Sequence, residues 1–163
     1  MGKDFWIKVF LFLHVMGAIA ALGPTLTYGL WVSLAERADA STRAFTLNSI
    51  SWLDGHLPTP AYMAQAITGV FLIALQGWSF FHTGWLVVGV AIYIALTVTA
   101  IAAYGPAFRR QRALADAIAA DPSDERAAAA YTAAARTSTI DGAVVTVLTV
   151  IVVFLMVWKP DLW

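Results

Sequence analysis

The sequence predicts an all-α integral membrane protein: a four-helix bundle of one domain, with a cytoplasmic helical hairpin extending its third and fourth spans. Three observations carry that reading. Of 163 residues, 60% are hydrophobic and 12% charged, whereas soluble domains average roughly 45–50% apolar and about 25% charged. Four apolar stretches are each long enough for a bilayer core about 30 Å thick, which takes roughly 20 helical residues. None shows the alternation of a membrane β-strand, and hydrocarbon offers no partner to backbone polar groups, so each is a helix.

The first span covers about residues 5–34 and holds His14, Gly17, Gly23, Gly29 and Pro24. Its beginning could pass for a signal peptide, with Lys3 and Lys8 before an apolar core. The apolar run continues to Trp31 and Leu34, further than a cleaved peptide needs, so it reads as a retained span. Pro24 removes one backbone hydrogen bond and bends the helix, and Thr25 and Thr27 can help satisfy the freed carbonyls. The first connection, about residues 35–59, contains Asp54-Gly55 and two prolines and reads as irregular.

The second span covers about 60–78. Only SFFHT separates it from the third span, about 84–104, so these two are antiparallel neighbours. After the third span, PAFRRQRALADAIAA continues with strong helix formers, ADPSDE intervenes, and RAAAAYTAAARTSTI resumes. Asp121 followed by Pro122, with Asp124 and Glu125, is an N-terminal helix signal. A helical hairpin over about 106–138 is therefore expected, turning near Asp121. The fourth span covers about 140–158. Six tryptophans (Trp6, Trp31, Trp78, Trp85, Trp158 and Trp163) lie near span ends, as interfacial aromatic belts do.

Orientation follows from basic residues. The first connection (Arg37, Arg43) and the third (Arg109, Arg110, Arg112, Arg126, Arg136) hold seven, and the remaining segments hold Lys3, Lys8 and Lys159. The positive-inside rule then puts both chain termini outside and the arginine-bearing connections in the cytoplasm. Net charge is zero, which gives no support to nucleic-acid binding. There is no cysteine, so thiolate metal sites, iron–sulfur clusters and cysteine nucleophiles are excluded. No phosphate loop, GxSxG elbow or HExxH helix is present, and most soluble enzyme chemistries lack support.

Ionisable groups within a span are costly and mark functional candidates. His14 lies near mid-depth, on a face with Gly17, Ala18, Ala21, Thr25 and Tyr28. It is a candidate haem or metal ligand through a neutral ring nitrogen. The alternative is a cross-helix hydrogen bond beside a small-residue packing face. Antiparallel threading brings Thr68 and Tyr93 level with it, and Gln65 shares the polar face of span two. Tyr93 and Gln65 are its first candidate partners. No residue set reads as a preformed metal site, because none of these neighbours is a strong transition-metal ligand. Asp141, just inside span four, is expected to form an ion pair with Arg136, Arg109 or Arg110.

Several features occur together: LHVMGAIAALGP, the TG of AITGVFL, GWLVVGVAIYIAL, FRRQRALADA and the closing FLMVWKP. This order resembles an uncharacterised bacterial family of predicted four-span integral membrane proteins. More distantly it is similar to HemJ-type protoporphyrinogen oxidases and CopD copper-resistance membrane proteins. The first resemblance implies a location in the bacterial cytoplasmic membrane. The second implies a haem-associated role at His14, with the accompanying lysine position falling at Gly89. Three functional classes follow as expectations. The first is a non-enzymatic accessory component, embedded in the bilayer and binding a membrane or cytoplasmic protein through residues 107–137. The second is a haem-linked redox protein, and the third a small-solute or metal-ion permease.

Overall fold

The computed structural model describes residues 2–163. Among them there is no strand. Helix α1 runs Lys3–Ala35, α2 Ala40–His56 and α3 Pro58–Gln76, followed by a 3-10 turn over Phe80–His82. Then come α4 (Gly84–Thr99), a π turn (Ala100–Tyr104), α5 (Gly105–Ala120) and α6 (Glu125–Trp158). Only Leu57 separates α2 from α3, and α4, the π turn and α5 are continuous. The chain thus makes four rods of 33, 37, 37 and 34 residues, each long and apolar enough to cross a membrane. At ~1.5 Å per residue they are about 50–55 Å long, some 20 Å more than a bilayer core requires.

The rods alternate in direction. One end of the bundle carries both termini and the 77–83 turn. The other, the arginine end, carries the 36–39 and 121–124 turns. Helix α1 packs along α3, and α4–α5 packs along α6, while α2 meets α5 at the arginine end. Gly77 closes α3 with φ 70°, a left-handed conformation that glycine adopts without steric cost. At the termini end, Lys159 Nζ stands 5.0 Å from the Trp78 ring and 5.4 Å from the Trp85 ring. The final residues fold back so closely that a Cβ on Gly84 would lie 2.8 Å from Leu162 and 2.9 Å from Trp163.

A hydrophobic core lies at the arginine end. Tyr28 of α1, Ala44, Leu47 and Ile50 of α2, Phe108, Ala115 and Ile118 of α5, and Ala127 and Tyr131 of α6 pack there as one cluster. Small residues let the helices approach. Helix α6 starts where expected, capped by Asp124, whose carboxylate accepts from the backbone N–H of Arg126 and of Ala127. Asp121 makes the turn before it, accepting from the Ser123 N–H and hydroxyl.

The connection over 35–59 is not irregular. It contains the 17-residue helix α2. Asp39 caps it, accepting from the Thr42 N–H at 2.9 Å and from the Ser41 and Thr42 hydroxyls. Gly55 stays helical one residue before the end, and Pro58 opens α3, where a missing N–H costs nothing. A second departure is the π turn. Pro106 cannot donate, and the widened backbone passes so close to Gly105 that a Cβ there would meet the Ala100 carbonyl at 3.1 Å.

Candidate functional site

His14 projects from α1 toward α3. Its Nδ1 lies 2.8 Å from the Thr68 hydroxyl oxygen. That hydroxyl donates to the Ala64 carbonyl, also at 2.8 Å. With its one hydrogen turned to Ala64, it accepts from His14 Nδ1–H. The ring is left with an unprotonated Nε2, for which the described residues provide no hydrogen-bond partner. Gln65 reaches the same place differently, donating from Nε2 to the His14 backbone carbonyl. Gly17 makes room for it, since a Cβ there would stand 2.8 Å from Gln65 Nε2. Gly69 lies beside the ring, where a Cβ would stand 3.5 Å from His14 Cε1.

Thr68 and Gln65 thus meet His14, one at the ring and one at the backbone. Tyr93 does not. Its hydroxyl donates to the Tyr62 carbonyl at 2.7 Å, joining α4 to α3. Asp141 is brought against neither Arg136 nor Arg109. Arg136 and Asp141 are five residues apart on one helix, about 140° around its axis. Asp141 instead borders a surface groove of about 450 Å³ shared with Arg110 and floored by alanines.

The ion pair among the described residues lies elsewhere, between Arg43 Nη1 and Glu36 Oε2 at 3.7 Å. It belongs to a network that ties the arginine end together. The Tyr131 hydroxyl donates to Glu36 and accepts from Gln111 Nε2 at 3.2 Å. The Arg43 guanidinium stands 4.6 Å from the Tyr131 ring centre. Burial, and then the hydrogen bond to Glu36, push the Tyr131 phenol up to about 12. Arg112 donates to the Ser51 hydroxyl, and Asn48 donates to Asp116 at 2.6 Å. A cavity of about 340 Å³ opens beside Glu36, Arg43 and Tyr131.

Sequence reasoning missed this network, whose members come from the 36–39 turn (Glu36), α2 (Arg43), α5 (Gln111) and α6 (Tyr131) and are joined by no local pattern.

Residues 8–160 match the family described as predicted integral membrane protein (DUF2269). No curated protein and no solved structure matches the chain. The match runs over nearly the whole length, and the four apolar rods are what its description requires. The chain belongs to this family and is an integral membrane protein.

Proposed function

We propose that this protein is a non-enzymatic accessory component of the bacterial cytoplasmic membrane, with its termini outside and its arginine end docking a protein partner in the cytoplasm. One observation carries the reading, an asymmetry of apolar surface at that end. Along α5 and the first half of α6, residues 102–139 expose no large hydrophobic side chain. On the α1–α2 edge at the same level, Leu30, Trp31, Leu34, Phe45 and Trp52 are all exposed, Phe45 by 73% and Trp52 by 64%.

Lipid is a poor cover for that patch. The apolar part of α6, residues 140–158, is about 28 Å long and matches the hydrocarbon core. The apolar surface of α1 runs over residues 5–34, about 45 Å, and overshoots it. Leu34 and Phe45 also flank the 36–39 turn with Glu36, Arg37 and Asp39, and Arg43 follows in the first turn of α2, charges that resist immersion in hydrocarbon. A contiguous apolar patch with a charged rim is the usual form of a protein contact. The 106–138 hairpin supplies the rigid backing, through the shared core and the Glu36–Tyr131–Gln111 network.

Photo-crosslinking in native membranes tests this. A benzophenone amino acid at Phe45 or Trp52 is expected to give one discrete protein adduct, of the same identity from both positions. The same group at Thr132 should give none, and Leu34→Glu should abolish the adduct. Lipid adducts alone overturn the docking reading, and an adduct of twice the chain mass replaces the partner with a second copy.

A second reading is favoured by the His14 geometry. A histidine whose Nδ1–H is held by a neighbouring oxygen presents Nε2 in the way metal-ligating histidines do, which supports haem ligation there. A Soret band in protein expressed with ample haem, absent in His14→Ala, would bear this out. Colourless protein would dismiss it.

A further inference from the structure

On the α5–α6 side of the molecule, the change from apolar to polar surface falls at one level. The last exposed large apolar side chain before α5 is Ile101, and the first on α6 is Ile140. A Cβ on Gly142 would lie 3.2 Å from the Tyr104 ring, so these two points stand at about the same height on neighbouring helices. Exposed apolar side chains on two antiparallel helices thus stop together, as they do where hydrocarbon gives way to headgroups. Immediately beyond that line opens the groove of about 450 Å³, floored by Ala103, Ala107, Ala133 and Ala134. Its volume lies in the range of small-molecule clefts, about 300–1,000 Å³.

Two charged residues line this groove, Arg110 of α5 and Asp141 of α6. Because Gly142 is level with Tyr104, the Asp141 backbone stands about six residues, ~9 Å, nearer the bilayer than that of Arg110. Helical side chains slant toward the N-terminus of their own helix. Helix α5 begins at the boundary and α6 begins at the 121–124 turn, so Arg110 slants back toward the bilayer and Asp141 away from it. The two charges approach from opposite ends of the groove. They form no ion pair with each other or with any other group among the described residues. Thr137, one turn before Asp141, donates to the Ala133 carbonyl at 3.1 Å rather than to the carboxylate. A half-buried carboxylate at the edge of hydrocarbon is costly without a partner.

The groove therefore presents one cation and one anion with an apolar floor between them. Its face on α6 continues toward the bilayer centre through Val144 and Ile151, both exposed. A complementary ligand carries an anion for Arg110, an ammonium for Asp141 and an apolar tail for the stripe below. We propose that this groove binds an amino-phospholipid, phosphatidylethanolamine in the first instance, with its phosphate on Arg110, its ammonium on Asp141 and an acyl chain along Val144 and Ile151. The charges choose among lipid classes. An anionic lipid without an amine leaves Asp141 unpaired beside a second negative charge, and a choline headgroup has no N–H to donate to the carboxylate. The alanine floor admits the headgroup, and a large side chain at Ala133 fills its place. The site is separate from the α1–α2 patch and does not depend on the docking reading.

Native mass spectrometry of the delipidated full chain tests it, with equimolar phosphatidylethanolamine, phosphatidylglycerol and phosphatidylcholine added in detergent. The expected result is one retained phosphatidylethanolamine, favoured over each of the others by about fivefold, the worth of one charge at the headgroup level. Asp141→Asn should erase the preference over phosphatidylcholine, and Arg110→Gln should lower retention of all three classes by about fivefold. Arg126→Gln, outside the groove, should change neither. In vesicles, phosphatidylethanolamine with a diazirine in its acyl chain should label the α6 peptide containing Val144, and Ala133→Phe should suppress that label while the helical signal in circular dichroism is kept. Equal retention of the three classes overturns the proposal. So does a preference for phosphatidylglycerol, which would make Arg110 alone the anchor, or a preference for phosphatidylethanolamine that survives Asp141→Asn.

Discussion

Leu47→Ala probes whether the arginine end is packed against water or against lipid. Leu47 is fully buried on α2, inside the cluster that includes Tyr28, Ile50, Phe108 and Ala115. The substitution removes three carbons, worth about 0.8 kcal/mol each when the alternative is water, so roughly 2.4 kcal/mol. A cavity term of up to about 1–2 kcal/mol adds to this and brings the total to about 3–4 kcal/mol. In the lipid-facing part of the bundle the first term vanishes, because acyl chains are as apolar as leucine. Leu72→Ala, at a buried position on α3, should therefore cost only the packing term, about 1–2 kcal/mol. Hydrogen exchange in nanodiscs reads the difference. The amides of residues 44–50 should lose at least a hundredfold of protection in Leu47→Ala, given about 1.4 kcal/mol per tenfold. Protection should fall by no more than about thirtyfold around Leu72 in its variant, on the same scale. Loss of less than tenfold at α2, or a larger loss at α3, would refute the reasoning.

Further expectations concern single contacts. A double-mutant cycle of Thr68→Val with His14→Phe should give a coupling of about 0.6 kcal/mol and no more than about 1.7, the range of interhelical hydrogen bonds in membranes; zero coupling by detergent unfolding would remove the His14–Thr68 bond from the account. Gly84→Val should expel the C-terminal segment, because even a Cβ meets Leu162 and Trp163 below 3 Å, and carboxypeptidase should then release Trp163 several times faster than from the parent protein. The Tyr131 phenol, raised from 10 to about 12 in the folded chain, contributes stability that is complete below pH 10 and lost as pH rises through about 12. Unfolding midpoints from pH 9 to 12 should fall more steeply than in Tyr131→Phe, and parallel curves would contradict the assignment.

The sequence made the spans legible because hydropathy and length alone settle which segments cross a bilayer. It also placed Thr68 level with His14, since helical rise converts residue counts into depth. It did not show which atom would bond to which. Gln65 reaches a backbone carbonyl and Tyr93 turns to Tyr62, because long side chains slant along their helices and miss partners chosen by depth. Helix α2 was obscured by Gly55 and Pro58, which punctuate its end rather than its middle, while its start signal, Asp39 before Ser41 and Thr42, is short and polar. The network of Glu36, Arg43, Gln111 and Tyr131 draws its members from the 36–39 turn, α2, α5 and α6, and no local pattern joins them. Asp141, expected beside Arg136, Arg109 or Arg110, forms no ion pair among the described residues, and Arg136 stands about 140° around the same helix from it.

The central claim, that the arginine end stands beyond the bilayer on the cytoplasmic side, can be tested directly because the chain has no cysteine of its own. Single cysteines at Ser123 in the 121–124 turn, at Thr132 on α6 and at Ser79 beside the other end provide three reporters for a membrane-impermeant maleimide. Ser123→Cys and Thr132→Cys should label in inside-out vesicles and not in intact spheroplasts, with Ser79→Cys showing the reverse. Labelling of Ser123→Cys in spheroplasts would invert the orientation, and failure of Thr132→Cys to label from either side would place the arginine end within the membrane and contradict the account.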